Sequence, residues 1–541
     1  MWIALAAAIG MGVAGPLVKV VSSIGQPSDG VWTHLAETRL ADYAAGTGTL
    51  VVLVCTGALA FGVPTAWLLS RYTFTFSRVL SWAMLLPLAM PGYIAAYAYT
   101  DLFAPGGPVQ QAVRGTSIAQ WALAIVPDMR TKAGAAVILA STLFPYVYFA
   151  GRVVFRELPA AAIESGRMLG CNAAVTLVRV ELPLAAPALA AGLVLVLMET
   201  VADFGTADYC AVDTFATGVY RTWTSLGSET GASQLATVIM LPLGLCVWVE
   251  SRLRHRRATA DVATRIMGDR RVRLRGAQNV VATVACCVPL MLGFIAPVLY
   301  LMYLAMMDDV WSDLGSTVSA TANTLGVAAV AGVVGVVLAG ALAAAMRFAP
   351  GKLVRTLVTL SRFGYAIPGP VIAIGVISAL TGIGGACKAI GLERPATWFF
   401  VGTIPVLVLG YQTRFLGVAL AYVRAAMERI HPRTDDAARV LGAGSAKLLL
   451  GVHLPMMRQG LLVAFVLVFA DITKELPITL MLRPFDFDTL AVSAYQLASD
   501  ERLGEAAAAC LTLIGFGVVP AAVLGAYLGR ASAVSYRRAR S

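Results

Sequence analysis

The chain has 541 residues, of which 58% are hydrophobic and 13% charged, with a mean hydropathy of +0.77. A charged share about half that of a soluble domain excludes a water-soluble globular fold, and apolar runs of about 20 residues, long enough to cross a bilayer, recur along the chain. The net charge of +11 is carried largely by hydrophilic stretches beside those runs, which marks membrane topology and argues against a nucleic-acid partner.

In chain order, the first half reads as apolar spans near 2–21, 45–69, 79–101, 133–151, 184–205 and 233–250. The second half reads as spans near 280–304, 318–346, 354–380, 398–421, 457–477 and 504–528. None of these runs shows the alternation of a membrane barrel, so each is predicted to be a helix that satisfies its own backbone groups. The expected fold class is an all-α polytopic membrane protein with about twelve transmembrane helices in two six-helix repeats. Residues 1–250 form the first repeat, 251–279 an Arg-rich linker and 280–541 the second repeat. An even number of spans per repeat makes the two repeats parallel, related by an axis along the membrane normal. The first span starts at Met1 without a basic flank; its removal as a signal peptide would leave an odd count, so it is expected to remain a span.

Arginines set the predicted orientation. The linker carries Arg252, Arg254, Arg256, Arg257, Arg265, Arg270, Arg271, Arg273 and Arg275, and the C-terminal tail carries Arg530, Arg537, Arg538 and Arg540. Both stretches are expected in the cytoplasm, which places both termini there as well. Eight cysteines show no metal-type spacing, and Cys55, Cys246, Cys286, Cys287 and Cys510 lie in or beside apolar spans, so no disulfide framework is expected.

Between the fourth and fifth spans of each half, one skeleton recurs. It reads Glu164-Ser165-Gly166, Gly170, then Val180-x-Leu182-Pro183, and again Asp436-Ala437-Ala438, Gly442, then Val452-x-Leu454-Pro455. Acid, glycine and proline are each displaced by 272 residues (436 − 164, 442 − 170, 455 − 183), so the chain is a tandem repeat. Pro159 and Pro432 suit helix starts, Gly170 and Gly442 suit helix ends of positive φ, and Pro183 and Pro455 are expected to restart the chain into the next span. Each copy is predicted to be a short helix on the cytoplasmic face, turned by its glycine.

At these residues the chain resembles the permease subunits of binding-protein-dependent ABC importers, whose cytoplasmic motif runs Glu-Ala-Ala, three residues, Gly, nine residues, Ile-x-Leu-Pro. Both spacings match in both copies; Ser165, Gly166, Asp436, Val180 and Val452 depart from the pattern within size or charge class. The resemblance implies a type I importer permease fold in which each segment docks a separate ATPase subunit. It further implies two such subunits carrying ATP and Mg, a periplasmic substrate-binding protein, and a bacterial inner-membrane location. No cofactor is expected on this chain and no catalysis of its own. Gly442-Ala443-Gly444-Ser445-Ala446-Lys447 is its nearest fragment to a phosphate-binding loop, and it lacks the second glycine at the required place.

The resemblance extends over nearly the whole chain and is nearest to fused ferric-iron importer permeases. It is carried by Leu86-Pro87-Leu88-Ala89-Met90-Pro91-Gly92-Tyr93, by residues 199–209 and by residues 474–484. Thiamine, phosphonate and polyamine permeases are similar more loosely. Ionisable groups within spans are costly and mark function. Here Glu199 and Asp203 match Asp471 and Glu475 across the same 272-residue offset, with Lys474 beside them. As i, i+4 pairs on helices, each pair is expected to share one face. Carboxylates, with Tyr209 and Tyr220 nearby, suit a hard cation on a translocation path; the competing reading places the same acids at the outer membrane rim, paired with Lys474 or each other, or on a docking surface for the binding protein. His34, His255, His431 and His453 show no ligand spacing, and Asp308, Asp309 and Asp313 read as a solvated outer patch. An ion-driven secondary carrier is the competing function, since such carriers also have six plus six parallel spans.

Overall fold

A computed structural model describes residues 1–114, 127–258, 271–307, 314–389, 391 and 402–538. Arg265, Arg270, Asp308, Asp309, Asp313 and Arg540 lie outside the described residues. Eleven described helices are long and apolar enough to cross a membrane, and one pair bent by 90° makes a twelfth when it is counted as a single span. The helices of the first half are α1 (Trp2–Ser22), α2 (Val31–Thr38), α3 (Leu40–Arg71), α4 (Ser77–Ala83), α5 (Gly92–Leu102), α6 (Pro108–Arg114) and α7 (Lys132–Glu157). They continue as α8 (Ala160–Met168), α9 (Ala173–Thr176), α10 (Leu182–Ala202), α11 (Gly205–Tyr209), α12 (Phe215–Thr224) and α13 (Glu229–Ala258). The second half holds α14 (Gly276–Leu290), α15 (Ala296–Met307), α16 (Leu314–Phe348), α17 (Lys352–Leu360), α18 (Gly369–Ala389) and α19 (Ile404–Glu428). It ends with α20 (Pro432–Val440), α21 (Ser445–Leu448), α22 (Leu454–Thr473), α23 (Pro477–Leu482), α24 (Leu490–Ser499) and α25 (Leu503–Arg538). The one departure from all-α among the described residues is a parallel pair of two-residue strands, β1 (Tyr72–Thr73) with β2 (Val272–Arg273).

Prolines decide where the predicted spans differ from the observed ones. The span expected over 79–101 is broken: α4 and the 3₁₀ turn Leu86–Ala89 meet α5 at 90°. The span expected over 354–380 is split in the same way, into α17, a 3₁₀ turn at Phe363–Ala366, and α18. Both breaks fall at a Pro-Gly step, Pro91-Gly92 and Pro368-Gly369. Proline forces the residue before it out of helical geometry, and Met90 and Ile367 are accordingly extended, with ψ of 111° and 134°.

Pro183 and Pro455 behave otherwise. They do not restart the chain; each sits two residues after a five-residue π turn, Leu177–Glu181 and Leu449–His453, through which the helix continues. A third π turn, Met291–Ile295, ends two residues before Pro297. Since proline cannot donate to the carbonyl four residues back and its ring crowds that carbonyl, the wider turn lets the helix absorb proline without breaking.

The chain folds as two compact units, which do not follow the repeat boundaries. One joins Met1–Ala41 and Phe215–Leu243 to Val310–Leu497; the other joins Asp42–Thr214 to Gly244–Asp309 and Ala498–Ser541. In the first unit, α1 lies on α18 and α17: a Cβ on Gly375 would come within 2.8 Å of the Pro16 carbonyl, and one on Gly10 within 2.7 Å of Leu357. In the second, Tyr99 Oη donates to the Leu292 carbonyl at 2.6 Å, fixing the π turn between α14 and α15 against α5. The opening span of each repeat is thus packed with the middle spans of the other.

Candidate functional site: the repeated hydrophilic segments

Both copies of the repeated motif fold alike. Helices α8 and α20 are nine residues each and end at Gly170 and Gly442, whose φ values of +84° and +79° are the left-handed geometry that glycine accepts at least cost. The N–H of the following residue turns back to close each helix, Cys171 to the Gly166 carbonyl at 3.1 Å and Ala443 to the Ala438 carbonyl at 3.0 Å. This sharp closure leaves the two preceding side chains in solvent. Met168 and Leu169 are 89% and 84% exposed, and Val440 and Leu441 are 86% and 85% exposed. Two large apolar side chains at matched positions on both copies form a duplicated sticky tip, unlike the singly scattered apolar residues of ordinary surfaces.

Glu164, Ser165, Asp436 and Ala437 are exposed, Ala438 is half-buried and Gly166 is buried. Downstream, Leu454, Pro183 and Pro455 are exposed and Leu182 is half-buried. The motif residues therefore present the outer side of each segment, while its inner side is anchored by residues that spacing alone did not reveal.

In the first unit, Arg347 at the end of α16 grips Asp435 of α20, with Nε to Oδ2 at 2.7 Å and Nη2 to Oδ1 at 2.9 Å. Its remaining donors reach the Met427 carbonyl at 2.9 Å and the Ile430 carbonyl at 3.0 Å, which closes the end of α19. His453, with no exposed surface, places Nε2 2.8 Å from Asp435 Oδ1, and its ring stacks on Phe348 at 5.7 Å. An ionised carboxylate only accepts, so Nε2 is the donor. Burial alone would raise the Asp435 pKa; hydrogen bonds from Arg347 and His453 and the Arg347 charge outweigh it and hold the carboxyl below its usual value.

The other unit solves the same problem differently. Arg71, at the end of α3, donates from Nε to Glu181 Oε2 at 3.0 Å. Glu181 stands where His453 stands in the second copy (453 − 181 = 272), and Ile163 stands where Asp435 does (435 − 163 = 272). An arginine holds each segment's base, and in the second copy it also holds the short helix itself through Asp435.

The intramembrane acids have local partners. Helix α10 ends at Ala202 and α22 at Thr473, so the i, i+4 pairs straddle helix ends and the expected shared helix faces do not form. Asp203 caps α11 instead, accepting from Thr206 Oγ1 at 2.9 Å and the Ala207 N–H at 3.0 Å. Glu475 caps α23 through the Ile478 N–H at 3.1 Å and accepts Arg414 Nη1 at 3.0 and 3.1 Å. Asp471 pairs with Lys474 at 3.0 Å. Glu199 is half-buried on α10, and Tyr209 packs edge-on against Tyr97 with centroids 4.5 Å apart. Tyr220 belongs to the other unit. Each capping acid faces the glycine of the broken span in its own unit: a Cβ on Gly92 would lie 2.6 Å from Thr206 Oγ1, and one on Gly369 2.5 Å from Pro477 Cγ and 2.9 Å from Glu475 Oε1.

Sequence reasoning missed Asp435, His453, Arg347, Arg71, Glu181 and Arg414, because each finds its partner at long range. The visible signal was that the 272-residue offset exchanges Glu181 for His453, a change of charge class inside an otherwise matched motif.

Two copies of one such segment, folded alike, make the duplication structural as well as sequential. The profile of the binding-protein-dependent transport system inner membrane components matches residues 58–257 and again 335–532. The chain belongs to this family. As a permease of this kind it is a multi-pass inner-membrane protein working with ATPase and binding-protein partners, which decides against an ion-driven carrier. The permease is 23% identical over 500 residues to the Fe(3+)-transport system permease protein FbpB 2 of Haemophilus influenzae, covering 91% of each chain. It is 31% identical over 151 residues to the sulfate transport system permease protein CysT of Salmonella typhimurium, covering 28% of this chain and 52% of that one. A probable molybdenum ABC transporter permease of Haloferax volcanii is 33% identical over 163 residues, covering 29% and 53%.

Proposed function

We propose that this permease carries ferric iron from a periplasmic binding protein into the cytoplasm, driven by two ATPase subunits that hold the ATP and Mg. One ATPase docks on each repeated segment, Glu164 to Pro183 and Asp436 to Pro455, and both termini face the same cytoplasmic side. The observation that carries docking is the duplicated apolar tip, Met168-Leu169 and Val440-Leu441, exposed beside each left-handed glycine. An apolar pair suits the desolvated centre of a protein interface, and the exposed acids suit its polar rim. Iron is supported by the match along 91% of both chains to a relative named for Fe(3+) transport.

We assign Asp203 and Glu475 to holding the helix breaks and leave cargo contact on the path to Glu199, Tyr209, Asp471 and Lys474. A second reading, an oxyanion cargo, is favoured by the local identity to sulfate and molybdenum permeases and by the pairing of Glu475 with Arg414 and Asp471 with Lys474. Uptake of radioactive ferric iron, sulfate and molybdate by cells expressing the permease with its genomic partners separates them. Iron uptake that disappears in Leu169→Asp/Leu441→Asp at unchanged membrane levels supports the proposal; uptake of an oxyanion alone overturns the cargo.

A further inference from the structure

Where the cytoplasmic-side ends of α16 and α19 meet α17, the first unit forms a half-open cavity of about 390 Å³. Its charged lining is entirely guanidinium, from Arg355, Arg362 and Arg424, with the Thr359 hydroxyl beside them and Val354 and Val358 among its apolar lining. The setting is the membrane border: α16 and α19 are spans that end here, at Phe348 and Glu428. Helix α17 between them buries Val354 and Val358, exposes Leu353 and Leu360 at 56% and 41%, and carries Lys352 and Arg355, the profile of a helix lying in the interfacial plane.

The matching place in the first repeat is built differently. Arg78 stands for Arg355 (355 − 78 = 277, the offset of the two Pro-Gly breaks, 369 − 92), and Arg152 stands for Arg424 (424 − 152 = 272). Arg152 is turned inward, donating to the Ser81 carbonyl and to Tyr148 Oη at 3.0 Å. Leu420 replaces that tyrosine in the second repeat, and Arg362 replaces Leu85. Arg424 therefore loses its inward partner, hydrogen-bonds the exposed Glu428 at 2.6 Å instead, and lines a cavity that has gained a third arginine.

We propose that this cavity binds the phosphate headgroup of an anionic phospholipid, with the guanidinium groups on the phosphate and the acyl chains along the apolar flank of α17. Guanidinium forks match phosphate oxygens in bidentate geometry, and basic pockets at span ends are suited to acidic headgroups. A free phosphate ion would use the arginines but not Leu353 and Leu360, the apolar side chains that α17 leaves exposed, which is why the lipid is the occupant.

The test uses the purified full-length permease, delipidated and returned to nanodiscs of phosphatidylglycerol or phosphatidylcholine, with retained lipid counted by native mass spectrometry after extraction. Native protein should retain phosphatidylglycerol and unfold at a higher temperature with it, and Arg355→Ala/Arg424→Ala should weaken retention about tenfold. Arg355→Lys/Arg424→Lys should keep most of it. Arg362→Leu, which copies the residue tolerated at Leu85, should lower retention several-fold and carries the test if the double alanine variant folds poorly. Equal retention by native and Arg362→Leu protein overturns the proposal. Protection by millimolar inorganic phosphate equal to that by the lipid overturns it as well, in favour of a free-anion site.

Discussion

At the scale of single residues, Asp435 carries the most structure per atom. Its carboxylate ties α16, α20 and the base of α22 together through Arg347 and His453. Removing it leaves a largely buried guanidinium without its counter-charge, and Asp435→Ala should cost about 3 kcal/mol, read as a lower unfolding temperature in detergent. Asp435→Asn should cost less, since one amide oxygen still accepts. Because the native pKa lies below the unfolded value, the contribution is complete above about pH 4 and is lost as pH falls through the lower native pKa. An acid titration of unfolding should show this loss in the native protein and not in Asp435→Asn.

Secondary elements show why the same residue type acts in opposite ways. Proline breaks the third and ninth spans but bends the fifth, seventh and eleventh only into π turns. The difference lies in the neighbouring residue: Pro91 and Pro368 precede a glycine that nestles against a capping acid, so leaving helical geometry is compensated by a close contact. Gly92→Ala and Gly369→Ala should each overpack this contact at a cost of about 1–3 kcal/mol, measurable as loss of folded protein in membranes. At the helix ends, Gly170→Ala and Gly442→Ala force a side chain into left-handed geometry at about 1 kcal/mol. Their effect should fall on transport-coupled ATP hydrolysis while the amount of folded permease changes little.

Over the whole molecule, the repeat is symmetric in sequence spacing and asymmetric in electrostatics. The second short helix is clamped by Asp435, while the first carries Ile163 at that place and leaves the arginine to Glu181. Unequal segments predict unequal coupling: Glu164→Ala and Asp436→Ala should differ in substrate-stimulated ATPase activity when each is assayed with the partner subunits. Equal defects would refute that. The two contact units deepen the contrast, since α1 belongs with the second repeat's middle helices and α14 and α15 with the first's.

The sequence by itself determined the membrane class, the span order, the duplication and the glycine-closed segments. Each rests on quantities read along the chain: apolar length, a repeated residue spacing, and the backbone freedom of one residue type. The pairing of Arg347 with Asp435 and His453, of Arg71 with Glu181 and of Arg414 with Glu475 was decided only by tertiary structure. So was the removal of Asp203 and Glu475 from the helix faces their spacing suggested. The reason is physical: a charge at a span end or inside a span must find a partner, but spacing along one helix finds partners only within about four residues. These partners lie 18 to 110 residues away, where only packing brings them together.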